Sequence, residues 1–239
     1  TENGTYDGQD RLTSYGNVTY TYTPAGELST KTSGAGTTTY SYDVFGNLLS
    51  VALPDGRTIT YEIDASQQRI GKRVNGTRQY GLLYQSQLAP VAMLSASNAV
   101  VATFVYATRD NVPDYMVKSG QRYRIVSDTR GSVRLVVRAS DGAVVQRLDY
   151  DEFGVVVADT NPGFQPFGFA GGLYEADTGL VRFGARDYDA VTGRWTAKDP
   201  ILFAGGDTNL YAYVGNDPVN FIDVTGRSPQ LDWQLWELA

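Results

Sequence analysis

The chain has 239 residues and a mass of 26.1 kDa, enough to bury a core without disulfide or metal staples. Its 26 acidic against 20 basic side chains give a formal charge of −6, which argues against a phosphate-binding surface, so no nucleic-acid partner is expected. Cysteine and histidine are both absent, which excludes thiolate and imidazole metal sites, cysteine nucleophiles and Ser-His-Asp triads; any catalysis has to run on carboxylates, hydroxyls, lysine or arginine.

With 26 glycines, 17 tyrosines and only 19% charged residues, the composition favours pleated, turn-rich structure, and an all-β class is expected. No stretch approaches the roughly 18 consecutive apolar residues of a membrane span, and Thr1-Glu2-Asn3-Gly4 lacks the basic opening of a signal peptide.

The N-terminal third is self-similar. Tyr6-Asp7, Tyr22-Thr23-Pro24-Ala25-Gly26, Tyr42-Asp43-Val44-Phe45-Gly46 and Tyr61-Glu62-Ile63-Asp64 begin 16, 20 and 19 residues apart, and Tyr150-Asp151-Glu152-Phe153-Gly154 is a late copy. That period suits two strands and two turns. Thr19-Tyr20-Thr21-Tyr22 and Thr39-Tyr40-Ser41-Tyr42 alternate hydroxyl and aromatic residues, which sends tyrosines to one face and hydroxyls to the other. Tyr20, Tyr22, Tyr40 and Tyr42 are expected to form aromatic ladders. Each strand then meets a turn in which Asp43 caps its own backbone and Gly26 or Gly46 takes positive φ. Asp55-Gly56 and Asp141-Gly142 are further hairpin signals. Residues 1–160 therefore read as antiparallel hairpins stacked into a curved sheet.

From about Asn161 the texture changes to a Gly-aromatic loop, Phe164 to Gly172, followed by the alternating segment Leu180 to Tyr188 and a turn-rich stretch to Gly226. Residues 161–227 are expected to fold back on the sheet as a plug, with Trp195, Phe203 and Tyr211 in a buried aromatic cluster and a short helical turn after Asn209. In the tail, residues 228–239, Leu231, Leu235 and Leu238 would share one helical face.

The Tyr-Asp units resemble the YD repeats of RHS proteins. The segment from Tyr174 to Arg227 is similar to the RHS-repeat-associated core, through Gly179-Leu180-Val181-Arg182-Phe183-Gly184-Ala185-Arg186-Asp187-Tyr188-Asp189, Thr192-Gly193-Arg194-Trp195, Asp199-Pro200-Ile201, Asn209 to Asn216, Pro218-Val219-Asn220 and Asp223-Val224-Thr225-Gly226. The resemblance implies a sheet wound into a hollow shell around a C-terminal toxic cargo, as in Rhs effectors, the C components of Toxin complexes and, more distantly, teneurins. It implies partners in that cargo, in further upstream repeats and in a secretion or delivery machinery, and it implies a secreted or exported protein. It also implies an intramolecular aspartyl protease that cuts between Arg227 and Ser228, with the variable region beginning at 228. Two positions depart from the family pattern: Leu202 stands where glycine is usual, and Arg227 where an apolar residue usually precedes the cut.

The chemistry is consistent with that implication. Two nearby carboxylates cannot both ionise cheaply, so one keeps its proton as an acid while the other serves as base. Asp199 and Asp223 are the candidate pair; each also reads as an ordinary turn aspartate. Arg194 is a candidate to stabilise the site, with Lys198 second, whereas Asp207 and Asp217 read as turn residues. Gly171-Gly172 and Gly205-Gly206 lack the Lys-Ser/Thr or helix start that a phosphate loop needs, and no cofactor or metal is expected. The alternative function is a structural or adhesive module that hydrolyses nothing.

Overall fold

The computed structural model describes residues 3–231. Among them, sixteen strands from Gly4–Tyr6 to Val156–Asp159 pair in strict chain order, each antiparallel to the next, in a single 16-stranded sheet. No α-helix occurs in the described residues; short 3-10 turns lie at Phe169–Gly171, Leu202–Gly205 and Val214–Asn216. The all-β class and the hairpin meander are as the sequence predicts.

The period-2 pattern sets the two faces. Tyr20 and Tyr40 are buried while Thr21 and Ser41 are exposed. On the outer face hydroxyls join across strands, Thr21 to Thr30 and Ser41 to Ser50, each pair 2.7 Å apart. The inner face gathers Leu12, Tyr20, Leu28, Tyr40, Leu48, Val51, Ile59 and Tyr61 into one apolar layer, capped by Leu180 from the C-terminal section. The tyrosines line this layer but are not one another's cross-strand partners. In register, Tyr20 faces Lys31, Tyr22 faces Leu28, Tyr40 faces Val51 and Tyr42 faces Leu48, because each tyrosine strand is followed by a leucine or valine strand. The expected ladder is an alternation of aromatic and aliphatic rows.

Each repeat reverses through the same five-residue loop. At Asp43 the amide donates to Asn47 O at 3.0 Å, and Asp43 Oδ1 accepts the amides of Phe45 and Asn47, both at 2.9 Å. Asp7, Asp64 and Asp151 do the same. Gly26 and Gly46 take φ of 104° and 82°, as the turn requires. Register shifts recur just ahead of these loops, between Thr21 and Tyr22, Ser41 and Tyr42, Glu62 and Ile63, and Asp149 and Tyr150. A bulge bends and twists its strand, so repeating it at one end of each hairpin curves the sheet.

The C-terminal section packs on the concave layer. Leu173–Glu175, Leu180–Phe183, Arg186–Asp189 and Arg194–Trp195 form a second antiparallel sheet, in which every residue of the two middle strands is buried. Phe169, Phe183, Tyr188, Trp195 and Tyr213 build an aromatic cluster, with Tyr188 and Tyr213 rings 4.4 Å apart. Trp195 is buried there as expected. Tyr211 is buried elsewhere, edge-on to Tyr22 at 5.7 Å, and Phe203 is 67% exposed. Phe203 misses the cluster because the Leu202–Gly205 turn directs Gly205 inward, which leaves the preceding side chains outside. The turn expected after Asn209 is not helical; Asn209 Oδ1 accepts the Tyr211 amide at 3.0 Å and holds a local side-chain turn instead. Of the tail, Leu231 lies in a two-residue strand, Gln230–Leu231, paired with Phe221–Ile222; Leu235 and Leu238 lie outside the described residues.

Candidate active site

Asp199 and Asp223 come from two turns that flank the small C-terminal sheet, and both are buried. Each keeps the turn role that its local sequence predicts. Asp199 Oδ1 accepts the Ile201 amide at 2.9 Å; Asp223 Oδ1 accepts the Arg227 amide at 3.1 Å and the Thr225 hydroxyl at 2.9 Å. Their Oδ2 atoms are left to face each other's turn. A single guanidinium nitrogen, Arg186 Nη2, touches both, at 2.7 Å from Asp199 Oδ2 and 3.4 Å from Asp223 Oδ2. The structure thus brings the two aspartates to one cation.

Arg186 is itself placed with little freedom. It sits on strand Arg186–Asp189, its guanidinium 4.1 Å from the centre of the Trp195 ring, and its Nε and Nη1 donate to Gly226 O at 2.6 Å and Leu210 O at 3.2 Å. Both ends of the site are therefore tied to one side chain. Burial is the main cause of every shift here. It raises the Asp199 carboxyl above the usual range, against the Ile201 amide and Arg186, with Asp223 adding to the rise. It raises Asp223 likewise, against Arg186 and the hydrogen bonds from Arg227, Thr225 and the Ser228 amide. Arg186 is lowered by its own burial and supported by the two carboxylates. One cation facing two carboxyls favours a state with one proton between them.

Arg227 lies beside this pair. The Arg227 amide donates to Asp223 Oδ1 at 3.1 Å, and the Ser228 amide lies near enough to help lower that carboxyl. The Arg227 carbonyl oxygen and Asp199 Oδ2 both lie within 3 Å of the point where a Cβ on Gly205 would stand. A cavity of about 20 Å³ is lined in part by Arg186, Trp195, Asp199, Gly205, Asp223 and Pro229 and has room for one water. The Arg227 side chain is exposed, so the apolar subsite that the family pattern implies does not enclose it.

The other candidates are placed elsewhere. Arg194 donates to Asp10 O at 2.5 Å and Asn209 Oδ1 at 3.3 Å and lies over the Tyr6 ring at 4.9 Å, joining the first hairpin to the C-terminal section. Lys198 lays its aliphatic stem against Gly26. Asp207 and Asp217 receive the amides of Asn209 and Asn220 in their own turns. The cation that meets the aspartates is Arg186, which lies within the Gly179 to Asp189 motif but is not among the candidate site residues of the sequence.

The teneurin YD-shell family model matches residues 1–219. Teneurin-3 of Danio rerio is 30% identical over 232 residues, covering 91% of this chain and 8% of the relative; Teneurin-1 of Gallus gallus is 29% identical over 228 residues, with the same coverages. The tRNA3(Ser)-specific nuclease WapA of Bacillus spizizenii is 27% identical over 235 residues, 95% of this chain and 10% of the relative. The chain thus spans about a tenth or less of the length of these proteins. A crystal structure of TcdB2-TccC3 aligns with a TM-score of 0.41 at 15% identity, over 94% of this chain and 18% of that one. On the matched family model and the repeating hairpins, the chain is an RHS/YD-repeat protein and belongs to the teneurin YD-shell family.

Proposed function

We propose that the chain is the closing section of a YD shell that cuts itself once, between Arg227 and Ser228, and so frees a C-terminal cargo from the wall that holds it. The observation that carries this reading is the shared contact of Arg186 Nη2 with the Oδ2 atoms of Asp199 and Asp223, beside Arg227, whose amide donates to Asp223 Oδ1 and whose carbonyl oxygen lies, with Asp199 Oδ2, within 3 Å of the space a Gly205 side chain would fill.

The roles follow from position. Protonated Asp199, next to the Arg227 carbonyl, donates a hydrogen bond to its oxygen. Ionised Asp223, which receives more hydrogen-bond donors, takes a proton from water as the hydroxyl oxygen bonds to the carbonyl carbon. The C–N bond then breaks, the Ser228 nitrogen takes the proton from Asp223, and the Arg227 carboxyl and Ser228 amine are the two products. Arg186 balances the remaining negative charge throughout.

The cargo, further repeats upstream and a delivery or export machinery complete this reading. A relative named as a tRNA nuclease, of which the matched section is 10%, supports a cargo with chemistry of its own outside that section. The expected outcome is that a protein continuing past Ala239 converts to two masses differing at Arg227-Ser228, and that Asp199→Asn and Asp223→Asn each stay whole. The second reading is a wall section without hydrolysis, favoured by the family match ending at residue 219, before Asp223. A parent that remains intact by mass at mildly acidic and neutral pH would decide for it.

A further inference from the structure

Gly205 and Gly206 are adjacent glycines with different physical reasons to be glycine. Gly206 has φ of 90° and open space around it, so its conformation excludes a side chain. Gly205 is not in the left-handed region, and what excludes a side chain there is space. A Cβ on Gly205 would stand 2.8 Å from the Arg227 carbonyl oxygen and 2.9 Å from Asp199 Oδ2. Neither atom can retreat freely. Arg227 is main chain, fixed by its amide to Asp223 Oδ1 at 3.1 Å and by the preceding carbonyl, Gly226 O, to Arg186 Nε at 2.6 Å. Asp199 is held from both sides by the Ile201 amide and Arg186.

We infer that Gly205 is a positioning residue for the cut: its missing side chain is the slot through which the Arg227 carbonyl reaches Asp199. This rests on the self-cleavage reading. A methyl at 205 leaves the turn's own backbone conformation allowed but has to displace the Arg227 carbonyl or Asp199, so it moves the reacting groups at a cost in stability. Displacing a reacting group by about 1 Å costs on the order of 100-fold in rate.

The test uses the protein continuing past Ala239, with intact mass followed over time for the parent, Gly205→Ala and Gly46→Ala. Gly46 has φ of 82° and nothing within 4 Å, so its alanine variant reports strain remote from the site. Gly205→Ala is expected to melt lower than the parent and, at temperatures where it is fully folded, to cut on the order of 100-fold more slowly. The alkaline limb of its residual pH profile should move to higher pH, because the added methyl excludes water from Asp199. Gly46→Ala should melt lower and cut at the parent rate while folded. Parent-like cutting by folded Gly205→Ala, or a loss of rate confined to temperatures at which it is partly unfolded, would overturn the inference. A parent that never cuts removes the proteolytic reading; the contact is then read from the Asp199 carboxyl titration by side-chain carbon NMR. Gly205→Ala must raise that titration relative to Gly46→Ala, and an unmoved titration would overturn the inference in this case too.

Discussion

Asp199 and Asp223 show how one residue can satisfy two readings. A turn aspartate needs one carboxylate oxygen for its own backbone, and Oδ1 serves that need in both; the second oxygen is then free to meet a distant group. The sequence displays the turns through Asp-Pro at Asp199 and Asp-x-x-Gly at Asp223, and the pairing only through resemblance. Arg186 was not legible as a site residue, since it precedes Asp199 by a stretch that includes a hairpin and lies in strands buried on both faces, where period-2 alternation carries no signal. Its role makes a pH prediction. Arg186 lowers both carboxyls against the burial that raises them, so Arg186→Met should lift both further. A carboxyl whose folded-state pKa is raised contributes stability that is complete below its unfolded value and lost as pH rises through the folded value. Arg186→Met should therefore lose more stability at pH 8 than at pH 5, as measured by urea unfolding at the two pH values. An equal loss at both would mean that the guanidinium acts only by packing. Leu202 explains another departure from the family pattern. It holds φ of 53° at the turn where glycine is usual, with its side chain 52% exposed. Relief of left-handed strain of about 1–2 kcal/mol exceeds the entropy cost of glycine, so Leu202→Gly should stabilise by about 0.5 kcal/mol in the same unfolding experiment.

At the scale of the element, the hairpin repeat was legible because two independent signals coincide, alternation along the strand and an Asp-x-x-Gly loop after it. Where one signal is missing the unit is still built. Asp128 to Ser132 closes the same loop, with Asp128 Oδ1 accepting the amides of Arg130 at 3.1 Å and Ser132 at 2.9 Å, yet no tyrosine precedes it. Ser95 to Ala99 closes it with a serine in place of the aspartate and Asn98 at φ of 65° in place of the glycine. Loop geometry, more than residue identity, is what repeats. The cost of breaking it is measurable at Gly46. With no atom near enough to clash, Gly46→Val carries conformational strain alone, which for a β-branched residue at positive φ amounts to roughly 1–2 kcal/mol or more. Thermal unfolding that leaves the melting temperature unchanged would show that the loop can adopt another geometry. The aromatic ladder was misread for a related reason. A period-2 pattern assigns faces, but which residues meet across strands depends on register, and each bulge resets it.

For the whole molecule, the question is what keeps the C-terminal section seated on the sheet. Apolar contact through Leu180 and the aromatic cluster supplies much of it, and a set of ion pairs reaching across the boundary supplies the orientation. Lys31 meets Asp189 at 3.0 Å, Lys72 meets Glu175 and Asp177 at 2.5 Å, and Arg57 meets Asp177. Deepest is Asp187, which receives Arg69 from the sheet and Arg182 from the neighbouring strand, each at 3.0 Å, while Arg182 also donates to Asn47 at the end of a repeat loop. Such pairs were invisible to the sequence, because the partners in the Arg69 pair are 118 residues apart and no local pattern links them. Burial decides their weight. Arg69, Arg182 and Asp187 have side chains at most 4% exposed, whereas the Arg57 and Asp177 side chains are 41% and 25% exposed. Two guanidiniums depend on the one carboxylate, so Asp187→Asn leaves buried positive charge without its counterion and should cost about 3–5 kcal/mol. Arg57→Ala removes a solvent-screened partner and should cost far less. Urea unfolding of both variants separates the cases. If Asp187→Asn proved as mild as Arg57→Ala, the polar layer would be incidental to the seating and the apolar contacts alone would hold the C-terminal section in place.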